Sequence, residues 1–147
     1  MTEQISDQEM ALTSGIAAFE AKQFSRAAGL LSPLAQEGNT EAMYRLAIMA
    51  QNGLGMVENP LLAFKYMKAA AEGGLDVAQH GLGFMYMEGE CAEKNPERAV
   101  RWFKQAAAQG LAGSQTTLAM MYEEGRGVPQ DMDEARKWYR MAGFDEK

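Results

Sequence analysis

Few side chains in this sequence are equipped for chemistry, and their spacing limits what they can do. His80 is the only histidine, so neither a multi-histidine metal site nor a histidine relay can be assembled. A single imidazole on a helix serves instead as a contact for a partner or as a surface hydrogen bonder. Cys91 is the only cysteine, which rules out an intramolecular disulfide, and Glu90 and Glu93 beside it disfavour the thiolate. The acidic groups Glu123-Glu124 and Asp131, Asp133, Glu134 suggest calcium, yet they lack the alternating ligand spacing of a calcium loop. Helix capping and solvation account for them. No Ser-x-x-Lys, G-x-S-x-G, H-E-x-x-H or phosphate-binding glycine motif occurs. The expectation is a chain with no catalytic residue, no cofactor and no metal.

What the sequence does contain is repetition. Leu46, Leu82 and Leu118 stand 36 residues apart, and so do Gly53, Gly89 and Gly125, Ala63, Ala99 and Ala135, Tyr66, Trp102 and Trp138, and Ala70, Ala106 and Ala142. A fixed period of this size marks a solenoid, whose units bury their apolar faces only by stacking on one another. Within a unit, Ala42, Leu46, Met49 and Ala50 form one helical face, and Ala63, Tyr66, Met67 and Ala70 a second. Gly53, Gly89 and Gly125 end each first helix where positive φ is wanted. Asn59-Pro60, Asn95-Pro96 and Asp131, with Glu134 three residues on as a capping-box variant, open each second helix. Gly38, Gly74 and Gly110 close the second helices. The predicted architecture is all-α, an α-α superhelix: a right-handed solenoid of about four hairpins in one domain over 1–147. The hairpins fall at about 7–38, 41–73, 77–110 and 113–144, and the first has a shorter interhelical turn because it lacks the glycine loop.

Composition agrees with a packed, acidic domain. The chain is 47% hydrophobic, enough for a sizeable core, and carries a net charge of -6. That balance works against nucleic acid, which needs a basic stripe. No apolar run is long enough to span a bilayer, so no membrane insertion is expected. The opening MTEQISDQEMALTSG has neither a basic start nor an apolar core of leader length. It reads as cytoplasmic, or as periplasmic or secreted if a leader has been removed.

The pattern Ala78-x-x-x-Leu82-Gly83-x-x-Tyr86-x-x-Gly89, then Ala99-x-x-Trp102-x-x-x-Ala106-Ala107-x-x-Gly110, resembles the Sel-one-like repeat (SLR), a relative of the tetratricopeptide repeat. Tyr122 to Val128 with Trp138 match it more closely still, and the first hairpin resembles the tetratricopeptide-like unit that leads such arrays. Departures are Cys91 for the second loop glycine, Ala50 for the tyrosine, and Ala47 and Ala119 for the glycine after leucine. The resemblance implies a non-catalytic adaptor or scaffold that binds proteins. Two alternatives come with it: an immunity factor that neutralises a toxin or enzyme, and a β-lactam or cell-wall hydrolase. The hydrolase reading is the weaker, since the cysteines of the cysteine-rich relatives and a nucleophile constellation are both missing here.

If the hairpins stack as in tetratricopeptide arrays, the first helices line a concave face, and positions around each repeated leucine point into it. These are Tyr44, Ile48, Gln51 and Asn52, then His80, Phe84, Met87 and Glu88, then Thr116, Met120, Glu123 and Glu124. The column Ile48, Phe84, Met120 is apolar throughout and borders acidic groups, which suits a protein or peptide with apolar and basic residues. At the far end, the Met141 and Phe144 region either tucks back as its own cap or meets a second chain as a homodimer through the C-terminal hairpin.

Overall fold

The computed structural model describes residues 6–144, and every regular element among them is helical. Eight helices follow in order: α1 Asp7–Glu20, α2 Phe24–Gln36, α3 Thr40–Asn52, α4 Pro60–Glu72, α5 Asp76–Glu88, α6 Pro96–Ala108, α7 Ala112–Glu124 and α8 Met132–Met141. They divide into two compact units, one running through Gly73 and the other starting at Gly74.

Local chemistry sets the helix ends. The Asn59 and Asn95 side chains accept the N–H of Leu62 and Arg98 at 3.1 Å, and Asp131 accepts those of both Asp133 and Glu134 at 3.1 Å. Each satisfies amide donors that an α-helix leaves unpaired at its start. The reciprocal half of a capping box is not made at Asp131, because its own N–H is already taken by the Tyr122 carbonyl at 2.9 Å. The same tie recurs from Asn59 to Ala50 and from Asn95 to Tyr86, both at 2.8 Å. Every second helix is thus fastened at its cap to the first helix of its own hairpin.

Gly53, Gly89 and Gly125 are left-handed, with φ of 66°, 72° and 69°. The hairpin of α1 and α2 turns within Ala21, Lys22 and Gln23, with Lys22 itself left-handed at φ 61°, whereas residues 53–59 separate α3 from α4.

In the first unit α1 packs on α2, α2 on α3 and α3 on α4, with α1 also meeting α3. Leu31, Leu46, Met49, Ala63 and Met67 are buried there. The buried Leu31 side chain of α2 packs directly on Gly15 of α1, where a Cβ would lie 2.5 Å from Leu31 Cδ2. In the second unit α7 packs against both α6 and α8, and α5 against α6. Leu82, Met85, Phe103, Leu118 and Met121 form its centre. Gly83 is there because a Cβ would come within 2.8 Å of the Phe103 ring; where alanine follows the leucine, at Ala47 and Ala119, the Phe103 column holds Met67 or Tyr139 instead.

Candidate partner-binding face

The two large apolar side chains exposed on the first helices of the second unit are Phe84, 38% exposed on α5, and Met120, 45% exposed on α7. They occupy equivalent positions in successive repeats. Phe84 is held in place by its neighbours: its ring meets Phe103 edge-on at 5.3 Å and His80 at 4.9 Å, and His80 meets Phe103 at 5.4 Å. Phe103 is fully buried and forms the floor of this cluster. Edge-to-face geometry of this kind adds to area burial and fixes ring orientation. An apolar group with a set posture binds at a lower entropy cost than a mobile one.

His80 Nδ1 lies 2.6 Å from Ser114 Oγ, which ties α5 to α7. Ser114 has no exposed surface. The pair resembles half of a nucleophilic dyad, but its hydroxyl is sealed from substrate and its imidazole is wedged between two phenyl rings. Burial lowers the His80 pKa below the ordinary imidazole value. The sign follows: the unfolded chain takes up this proton at a higher pH than the folded one. The neutral imidazole therefore contributes its full stability above about pH 6.5 and loses it as pH falls from there through the lowered folded value. Thermal melts of wild type and His80→Gln at about pH 7.5 and about pH 5.5 should show wild type losing more stability on acidification. Equal losses would remove His80 as the cause.

The other predicted face residues fall into several groups. Glu88 and Glu124 are exposed, and Thr116 is half-buried with its hydroxyl donating to the Ala112 carbonyl at 3.0 Å. Glu123 is exposed but turned toward α8, where its Oε1 accepts the Tyr139 hydroxyl at 3.2 Å. Burial first, and then the Glu123 charge and hydrogen bond, raise the Tyr139 pKa. Met87 does not face a partner. It is only 6% exposed, one position before the solvent-facing Glu88. Its carbonyl accepts Arg126 Nη2 at 3.1 Å, so α5 is joined to the loop after α7 at that point. In the first unit, Tyr44, Ile48 and Gln51 are half-buried; Arg45 lies 5.9 Å from the Tyr44 ring centre, and Asn52, exposed, donates to the Ile48 carbonyl at 2.9 Å.

Sequence reasoning missed three participants. Ser114 stands in the small-residue column with Ala42 and Ala78, and its change to a hydroxyl is the signal that something polar, His80, reaches it. Phe103 was hidden among core positions. Gln79, 3% exposed, accepts Gln109 Nε2 at 2.9 Å and donates to Gln105 Oε1 at 3.4 Å, a buried amide link between α5 and the end of α6. At the C-terminal end, the Phe144 N–H donates to the Tyr139 carbonyl at 2.9 Å and its ring meets Tyr139 at 5.9 Å, while Met141 and Phe144 stay 53% and 54% exposed.

Among the described residues no group of three or more His, Cys, Asp or Glu side chains is placed to hold a metal ion, and no helix is long and apolar enough to cross a membrane.

Paired helices with left-handed glycine stops and capped restarts, recurring at one interval, define a helical-repeat protein of the α-α superhelix class. The Sel1 repeat family model matches residues 40–75, 76–111 and 112–143, and the chain belongs to the Sel1 repeat family. Sel1 repeat proteins are in general interaction scaffolds and adaptors rather than enzymes. Among solved structures, the chain is similar to a Sel1 repeat protein from Oxalobacter formigenes, at 31% identity and a TM-score of 0.84 over 89% of this chain and 54% of that one. It is also similar to a protective antigen with an SLR fold, present in uropathogenic Escherichia coli strains, at 34% identity and a TM-score of 0.86 over 92% of this chain and 30% of that one. The chain therefore spans about half the length of the first and under a third of the second. Cysteine rich protein B from Helicobacter pylori shares the fold at 17% identity, with a TM-score of 0.60 over 93% of this chain and 89% of that one. A search of curated proteins finds no match.

Proposed function

We propose that this chain is a non-catalytic adaptor that holds a partner protein or peptide on the first-helix face of its second unit. Phe84 and Met120 are the apolar anchors, and Glu88 and Glu124 are the acidic edge. The observation that carries this reading is the posture of Phe84: a large ring left 38% exposed, yet braced by His80 and the buried Phe103. A residue that merely failed to be covered has no need of such bracing. Interface energy concentrates in a few anchors of this type, ringed by polar groups that set orientation and encounter rate. The matching partner segment presents apolar side chains flanked by lysine or arginine.

The test begins with affinity capture from source lysate and continues with titration of the purified partner. Phe84→Ala with Met120→Ala should weaken binding by about 2 kcal/mol or more, roughly 30-fold, with circular dichroism unchanged. Glu124→Lys should slow association and flatten its salt dependence. Unchanged affinity in both variants would place the partner elsewhere.

A further inference from the structure

Charge in the second unit is sorted by helix. Helices α5 and α7 carry four acidic side chains and no basic one, whereas α6 and α8 carry six basic and three acidic. Two columns of the repeat produce this asymmetry. Lys65, Arg101 and Lys137 share one, and Lys68, Lys104 and Arg140 the other, and all six are exposed. In the second unit they place Arg101 and Lys104 on α6 and Lys137 and Arg140 on α8, the two helices between which α7 packs. Two of these side chains rest on rings: the Lys104 ammonium lies 5.7 Å from the Tyr122 ring centre and that of Lys137 5.3 Å from Trp138. An aromatic support of this kind orders the aliphatic stem while leaving the charge at the surface. The Lys137 ammonium also stands 3.8 Å from the Glu134 carboxylate on its own helix, a surface pair that a partner's carboxylate can replace at little cost.

We propose that the exposed face of α6 and α8 is a second binding surface, separate from the apolar and acidic face of α5 and α7, and that it takes an acidic protein segment. Carboxylates are the complement of mixed arginine and lysine columns, and arginine engages them in a bidentate fashion. A nucleic-acid backbone fits less well. Its charge is continuous, while both helices begin with acidic residues, Glu97 on α6 and Asp133 and Glu134 on α8, in a chain of net charge -6. An anionic bilayer fits less well too, because α6 exposes no large apolar side chain to enter it and α8 exposes only Met132 and Met141, one at each of its ends. A protein segment can space its carboxylates to meet the columns and avoid the helix starts. This surface is independent of the Phe84 face and stands or falls without it.

The test uses the full chain and a fluorescein-labelled oligo-glutamate peptide, read by anisotropy at low ionic strength. A single-stranded oligonucleotide and vesicles of phosphatidylserine with phosphatidylcholine are run beside it. Wild type should bind the peptide with an affinity that falls as salt is added. The variant Arg101→Gln, Lys104→Gln, Lys137→Gln, Arg140→Gln should bind about tenfold more weakly or worse. A control that removes the same charge at positions outside the two columns, Lys22→Gln, Arg26→Gln, Lys94→Gln, Lys147→Gln, should change affinity by less than about twofold. Should the quadruple variant lose its helical spectrum, the α6 pair and the α8 pair are changed separately, each with an expected loss of about threefold. Equal weakening by test and control variants would reduce the effect to net charge and overturn the surface. Absence of peptide binding would overturn it, as would tighter binding of oligonucleotide or vesicles, or salt-sensitive self-association in sedimentation.

Discussion

Phe103→Ala is expected to destabilise the unit that starts at Gly74 by about 3–5 kcal/mol, the range for truncating a fully buried phenylalanine. The ring has no exposed surface, and it touches Gly83, His80 and Phe84 together. Its loss leaves a cavity that Gly83 cannot fill and removes the floor under Phe84. Urea denaturation should show a lower midpoint, and a captured partner should bind more weakly even where the variant is folded. Phe103→Leu separates the two effects, since it keeps most of the volume but not the edge-on ring geometry. A stability loss under about 1 kcal/mol for Phe103→Ala would mean that the site collapses around the void and that the cluster is not braced as described.

The second large effect lies in the interhelical loops, where equivalent positions should respond with opposite signs. Gly127 is left-handed at φ 74°, and a Cβ there would sit 2.5 Å from the Pro96 carbonyl oxygen. Gly127→Ala combines a left-handed penalty of about 1–2 kcal/mol with a backbone overlap that flexible side chains cannot relieve, for a total of about 3 kcal/mol or more. Cys91 occupies the same repeat position and already has φ 61°. Cys91→Gly removes the left-handed penalty and adds the entropy cost of glycine, a net gain of about 0.5–1 kcal/mol. Thermal melts of both variants decide the matter. A neutral Gly127→Ala, or a destabilising Cys91→Gly, would contradict this account of the loop.

Helix content and helix ends were legible from residues because each is set locally. The Asn59, Asn95 and Asp131 caps and the Gly53, Gly89 and Gly125 stops depend on side chains within a few positions of the end they form. The apolar columns were legible because burial repeats with the helical period. The candidate face was read less completely, since exposure depends on what packs from other helices. The helical register points Phe84 and Met120 outward, and both are exposed. The same register points Met87 outward, yet it is buried, because register gives a direction while the surrounding packing decides whether that direction ends in solvent. Glu123 fits the register too, but the Tyr139 hydroxyl on α8 turns its carboxylate aside, a contact between residues that no motif links. His80 with Ser114 is the same kind of case: two unremarkable residues in different repeats, joined only once their helices pack.

The amide of each cap residue, held by a carbonyl of the preceding helix at Asn59, Asn95 and Asp131, closes the loop from inside its own hairpin. A block such as residues 76–111 thus carries its own latch. A tandem duplication in the gene would insert a pre-fastened cassette, whose lengthening of the array demands no compensating change in the loops on either side.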